Sequence, residues 1–324
     1  MPAAKEKRGV KRIFAAQFGG TKVQKYLVSV LTPVYNGESY LSRLLDSVLN
    51  QTYPHVEMIL VNDGSSDATV EIANSYIPKF KSRGYPYTVI SVPHKNASAA
   101  INAGLPCVNG QYLVWPDSDD ELLPGSIEVR VNFLKTHPEY HCVRSIMEYV
   151  SHETGAPIER GESLGDLSKE DIFWDILEDR SFVCCGCYML ETERFFQIYP
   201  DKKIMESYFG QNYQMLLPYL FKYRCPTIRQ RLYRVYVRPD SHFRRVKTEA
   251  EERFYLDSFD RLVDEIRHIC SLNDAASLLR IKLRKVRYRE WVAGRSRHRI
   301  RRLGYKMAVK WLRASLFLVQ AMKK

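Results

Sequence analysis

The chain has 324 residues, 45% of them hydrophobic and 12% aromatic, which excludes a disordered or fibrous protein and leaves ample length for a core. Its net charge of +12 is uneven: from Arg280 onward 16 Lys and Arg face a single acid, Glu290, leaving 33 basic and 36 acidic residues elsewhere. Basicity is a property of the tail, so a body that coats nucleic acid is not expected.

Residues 1–25 carry Lys5, Lys7, Arg8, Lys11 and Arg12 without periodicity and read as a basic leader. Tyr26 to Tyr35 is an apolar run of the kind found in buried parallel strands, and Glu38 to Asn50 has helical spacing. A second strand, Val56 to Val61, runs into the turn Asn62-Asp63-Gly64-Ser65-Ser66-Asp67, where Ser65 and Ser66 suit helix capping. A helix over 67–80, a strand over 87–92 and a helix over 97–105 follow. The fourth strand lies in Gln111 to Trp115 and breaks into Asp117-Ser118-Asp119-Asp120, with Pro124 placed to open a helix.

Beyond Arg130 the alternation loosens. Strands are expected over 141–151, 182–190 and 232–237, a glycine-rich loop over 155–165, and a helix over 168–177 capped by Ser168. A further helix is entered at Gly210-Gln211-Asn212, and from Thr248 the pattern is helical and increasingly basic. The seven cysteines include a C-C-x-C cluster, Cys184, Cys185 and Cys187, without zinc-site spacing. An odd count and no secretory signal point to buried thiols in a reducing compartment. No apolar run approaches the ~20 residues of a membrane-spanning helix.

Strands alternating with helices imply an α/β, mostly parallel, doubly wound sheet, in which ligands sit beyond the carboxyl ends of the strands. The turns at Pro33–Asn36, Asp63, His94–Asn96 and Asp117–Asp120 all fall on that edge. Carboxylates crowded at one strand end repel unless a cation joins them. Asp117, Asp119 and Asp120 therefore suit Mg²⁺ or Mn²⁺, ions that commonly carry a substrate's phosphates as well. His242 could join such a metal, or, with Arg238, Arg244 and Arg245, clamp phosphates.

The segments TPVYN (Thr32–Asn36), VNDGSSD (Val61–Asp67), N-x-S-x-x-x-N-x-G (Asn96–Gly104) and DSDD (Asp117–Asp120), in this order, resemble glycosyltransferase family 2. The resemblance covers about residues 26–245 and is most specific in its first hundred. It implies a GT-A (Rossmann-like) fold and inverting transfer from a nucleotide-diphospho-sugar. Thr32, Pro33, Tyr35, Asn36, Asp63, Asn96, Asn102, Asp117 and Ser118 would then bind the donor, with Asp63 accepting from the base. Asp117, Asp119, Asp120 and His242 would hold the metal, and Asp120 would also serve catalysis.

Two departures stand out. The family often has Arg before the second Asn of the third motif, where this chain has Ile101; His94 or Lys95 could compensate. The family's late acidic pair is Gln211-Asn212 here, and an amide cannot take a proton as a base. Gln211 and Asn212 are expected to position substrate hydroxyls, and Glu206 is the expected base.

The expected layout is a leader (1–25), a catalytic domain (26–245, divided at 130/131 into donor and acceptor halves) and a basic helical region (246–324). Trp291, Tyr305, Trp311, Leu312, Leu316, Phe317 and Val319 among the tail's cations suit an anionic bilayer. The expectation is a UDP-linked sugar moved to a glycan or lipid-linked acceptor at the cytoplasmic membrane face, without nucleic acid as partner. The alternatives are a nucleotidyltransferase and an inactive membrane- or nucleic-acid-binding relative.

Overall fold

The computed structural model describes residues 11–13, 23–159, 164–238, 248–295 and 299–322. In chain order the first half comprises β1 (Lys11–Ile13), β2 (Gln24–Val34), α1 (Leu41–Leu49), β3 (Val56–Asn62), α2 (Thr69–Ser75), α3 (Ile77–Arg83), β4 (Tyr87–Ser91), α4 (Ala97–Gly104), β5 (Gly110–Val114), β6 (Glu121–Leu122) and α5 (Ser126–Thr136). The second half continues with β7 (Cys142–Ser151), α6 (Phe173–Leu177), β8 (Tyr188–Glu191), α7 (Thr192–Ile198), α8 (Gln211–Lys222), β9 (Thr227–Val237), α9 (Glu249–Ile269), α10 (Ala275–Arg295) and α11 (Arg299–Ala321).

One nine-stranded sheet runs β1-β4-β3-β2-β5-β8-β7-β9-β6. Strands β4, β3, β2 and β5 are mutually parallel, while β8 joins β5 antiparallel. The strand order reverses at β2, which lies between β3 and β5, and this switch point opens a crevice at the carboxyl edge. Every residue of β3 is buried, as befits a central parallel strand. Helix α1 closes one face with Leu41, Leu44, Leu45 and Val48, all fully buried at spacing i, i+3, i+4, i+7 and stabilising by roughly 1.5–3 kcal/mol each.

Several local expectations give way to tertiary contacts. The helix expected over 67–80 is two helices meeting at Tyr76, with Pro78 in the first turn of α3. Helix α5 begins at Ser126, one residue after Gly125 turns the chain at φ 75°. Ser168 caps no helix: its N–H and hydroxyl both donate to Asp166, and α6 starts at Phe173. Of the strand expected over 182–190, only β8 forms; Cys185–Cys187 is a 3-10 turn, in which a Cβ on Gly186 would lie 2.0 Å from the Tyr233 ring.

The boundary expected near residue 245 is not a boundary of packing. Phe259, Leu262, Val263 and Ile266 of α9, with Ile281 and Tyr288 of α10, belong to the same core cluster as the sheet. The capping box of α9, Thr248 with Glu251, starts the helix where the sequence pattern places it. Helix α11 packs separately on α10 through Val309 and Leu312 against Leu283. Leu312 is 1% exposed, so it belongs to that seam and not to a membrane-facing surface.

Candidate functional site

The carboxyl ends of β2, β3 and β5 meet α8 and the end of β9 around a pocket of about 200 Å³. It is lined by Pro33, Val34, Tyr35, Tyr40, Asp63, Ala97, Asp117, Ser118, Asp119, Gln211 and Arg238. Six residues expected to hold donor or metal (Pro33, Tyr35, Asp63, Asp117, Ser118 and Asp119) are thus brought together with Gln211.

Asp63 is 3% exposed and held by the loop after β4: Lys95 N–H donates to Oδ1 at 2.9 Å, and His94 Nδ1 lies 3.0 Å from Oδ2. The His94 imidazole stacks on Tyr35, with ring centroids 3.9 Å apart. Gly64 (φ 68°) is required for this approach, because a Cβ there would stand 2.5 Å from the His94 backbone nitrogen.

The acidic turn is built on a buried polar network. The Tyr233 hydroxyl accepts from Asp117 N–H at 3.1 Å and donates to the Asp120 carboxyl. The Cys185 thiol donates to Asp117. Arg130, fully buried, donates to Gly186 O at 2.9 Å and Ser126 Oγ at 2.7 Å, fixing the Cys185–Cys187 turn to α5. Burial, then the neighbouring Asp119, push the Asp117 carboxyl up to about 6. Asp120 is driven higher by the same two causes. Asp119 pairs with Arg238 Nη2 at 2.9 Å, and its backbone carbonyl accepts from Arg43.

Other expected site residues have different work. Asp120, 4% exposed, accepts from Tyr236 N–H at 3.0 Å and is not among the residues lining the pocket. Thr32 is fully buried and donates to Pro116 O. Asn36 bridges to the Ser65–Ser66 turn. Asn96 caps α4 by accepting from Ala99 N–H. Asn102 is committed in both directions to the backbone of Ile204, at 2.8 Å each, and is not among the lining residues. Asn212 accepts from Trp115 Nε1–H, leaving Gln211 as the amide that faces the pocket. Glu206 is paired with Lys95 and is not among the lining residues. His242, Arg244 and Arg245 lie outside the described residues.

Among the described residues no group of three His, Cys, Asp or Glu side chains is arranged to hold a metal. Asp117 and Asp119 form a two-carboxylate set, with burial and like charge raising Asp117, and an added cation relieves that repulsion. Two carboxylates fit Mg²⁺ or Mn²⁺, whose remaining positions are commonly filled by water and substrate phosphates. Arg43 and Tyr233 had no sequence signal, because each enters through a contact between distant segments, and the cysteine cluster gave no hint that Cys185 would meet Asp117.

A family model described as "Glycosyl transferase family 2" matches residues 29–197, just over half of the chain. An uncharacterized glycosyltransferase of Haemophilus influenzae is 39% identical over 108 residues, 33% of this chain and 42% of that protein. The glycosyltransferase GlyA of Streptococcus pneumoniae is 33% identical over 146 residues, 45% of this chain and 20% of that protein. The chain thus spans less than half the length of these curated relatives. In fold it resembles S. aureus TarS in complex with UDP-GlcNAc, with a TM-score of 0.59 at 18% identity, covering 79% of this chain and 70% of that one. It also resembles the mannosyltransferase PcManGT of Pyrobaculum calidifontis in complex with GDP-Man and Mn²⁺, with a TM-score of 0.51 at 13% identity over 91% and 79% of the two chains. With its mostly parallel sheet, its carboxyl-edge pocket and these likenesses, the chain has the GT-A fold and belongs to glycosyl transferase family 2.

Proposed function

We propose that this enzyme moves a hexose from a UDP-sugar to a hydroxyl of a glycan or lipid-linked acceptor, with inversion. The observation that carries the proposal is the convergence of Asp63, Asp117, Asp119 and Arg238 in one pocket at the switch point of the sheet. Asp63, fixed by His94 and Lys95, offers carboxylate oxygens to a base N–H, beside the Tyr35 ring. Asp117 and Asp119 hold the Mn²⁺ or Mg²⁺, which when bound offsets the charge growing on the departing diphosphate. Arg238, which pairs with Asp119 at the same rim, supplies a guanidinium for phosphate oxygens. Gln211 orients a sugar hydroxyl. We assign the acceptor's proton to Glu206, five residues before Gln211 in the sequence and paired with Lys95.

The site of action we propose is the cytoplasmic face of a membrane. Among the described residues no helix is long and apolar enough to cross one. Helix α11 instead turns Leu303, Met307, Trp311 and Leu318 to solvent, each at least 61% exposed. Exposed Lys306, Lys310 and Arg313 lie beside them, a pairing of apolar and cationic groups suited to anionic lipid.

Calorimetry of UDP, GDP and CDP with Mn²⁺ present tests the donor reading. UDP should bind best, and Asp63→Ala and Asp119→Asn should each weaken it at least about tenfold. The proposal fails if no nucleoside diphosphate binds, or if both variants bind UDP as wild type does.

A further inference from the structure

Two of the residues that line the pocket share a partner from outside it. The His94 imidazole lies flat over the Tyr35 ring, with centroids 3.9 Å apart and planes at 18°. The edge of the same imidazole meets Asp63: Nδ1 is 3.0 Å from Oδ2 and 3.0 Å from the Asp63 backbone carbonyl oxygen. Both neighbours of that nitrogen are acceptors, so Nδ1 carries the proton and donates it. A flat ring thus stacks on Tyr35 and gives an N–H to Asp63.

Those are the two contacts that the donor reading assigns to the nucleotide base. Imidazole and base cannot make them together. A ring stacked on the opposite face of Tyr35 stands a further ring spacing from the imidazole, and so from the oxygen to which the imidazole donates. The other carboxylate oxygen of Asp63 already accepts from Lys95 N–H at 2.9 Å. Space gives the same answer. The pocket measures about 200 Å³, against roughly 300–1,000 Å³ for sites that enclose small-molecule ligands. Tyr35 and Asp63 line it and His94 does not, so the imidazole takes up room beside the pocket, against two of its walls.

The ring is free to leave while its backbone stays. The His94 side chain is half exposed, so solvent can receive it. Its backbone nitrogen lies so close to Gly64 that a Cβ there would stand 2.5 Å away, and the next residue holds Asp63 through the Lys95 N–H. Departure is therefore a side-chain rotation that leaves the loop in place and Asp63 still aimed.

We infer that His94 is a built-in substitute for the nucleotide base, filling the base slot until the base of the donor displaces it. This rests on the donor reading above and adds a regulating contact to that site. The affinity of the chain for its donor is the intrinsic affinity multiplied by the fraction of molecules in which the ring has swung out. The substitute also describes the ligand. It is a flat ring with an N–H on its edge, which uracil and guanine offer at a ring nitrogen and the unprotonated N3 of cytosine does not.

Calorimetry with Mg²⁺ present tests the inference by comparing wild type with His94→Ala. UDP should bind the variant about three- to tenfold more tightly, whereas inorganic pyrophosphate, which has no base, should bind both chains equally. NMR of the wild-type protein reads the ring itself. The imidazole C–H signals of His94, recognised by their loss in His94→Ala, are shielded by the Tyr35 face and should move downfield when UDP saturates the protein, but not with pyrophosphate. The inference is overturned if UDP binds His94→Ala no more tightly than wild type, or if pyrophosphate gains as much as UDP. It is equally overturned if the His94 signals stay in place at saturating UDP. In each of these cases UDP binding by wild type leaves the donor reading standing. Absence of UDP binding in both chains refutes the donor reading, and the inference falls with it.

Discussion

Replacing Asp117 by Asn measures the electrostatic load on the pocket floor. Burial first, then the Asp119 carboxylate, push the Asp117 carboxyl up to about 6 from an ordinary 3.8. A carboxyl whose pKa is higher in the folded chain keeps its proton longer there than in the unfolded chain. Its contribution to stability is therefore complete below about pH 4 and is lost as pH rises through about 6. Roughly two pH units, at ~1.4 kcal/mol each, make the ionised group about 3 kcal/mol less favourable in the fold than the protonated one. Asn keeps the shape and removes the charge. Asp117→Asn should therefore gain stability relative to wild type as pH rises from 4 to 8, by about 2 kcal/mol over that interval. Urea unfolding at both pH values, with chelator present, reads the difference, and UDP calorimetry should show weaker binding in the same variant. An identical stability difference at pH 4 and pH 8 would refute the reasoning and place Asp117 in an effectively aqueous setting.

Gly186→Ala should destabilise by about 2–4 kcal/mol in thermal unfolding, because the added methyl meets the Tyr233 ring at 2.0 Å within the packed core. A smaller loss would show that the Cys185–Cys187 turn yields easily. Asn102→Ala leaves the Ile204 N–H and C=O without their partners and should cost about 1–3 kcal/mol. Its UDP affinity should stay close to wild type, and a large loss would return Asn102 to the donor site. The triple change of Met307, Trp311 and Leu318 to Ser should abolish sedimentation with anionic vesicles while leaving UDP binding intact. Unchanged sedimentation would remove α11 as the membrane-facing element.

The local sequence determined the donor half. Each of its central strands is an apolar run ending in a polar turn, and the doubly wound sheet places those turns on one edge, so Pro33, Tyr35, Asp63, Asp117, Ser118 and Asp119 converge in the pocket. Tertiary structure alone decided which of three adjacent carboxylates face that pocket. Past Val114 the strand alternation ends, and Asp120 accepts from Tyr236 N–H of β9 while Asp117 and Asp119 line the pocket. The fate of Asn102 was equally hidden, because its partner Ile204 lies 102 residues away and only the packed fold joins them. Trp311 and Leu312 are neighbours of similar hydrophobicity, yet one is 63% exposed and the other 1%. A helix with apolar residues on two sides cannot say from its own pattern which side will be buried, and here the packing of α10 against Leu312 made that choice.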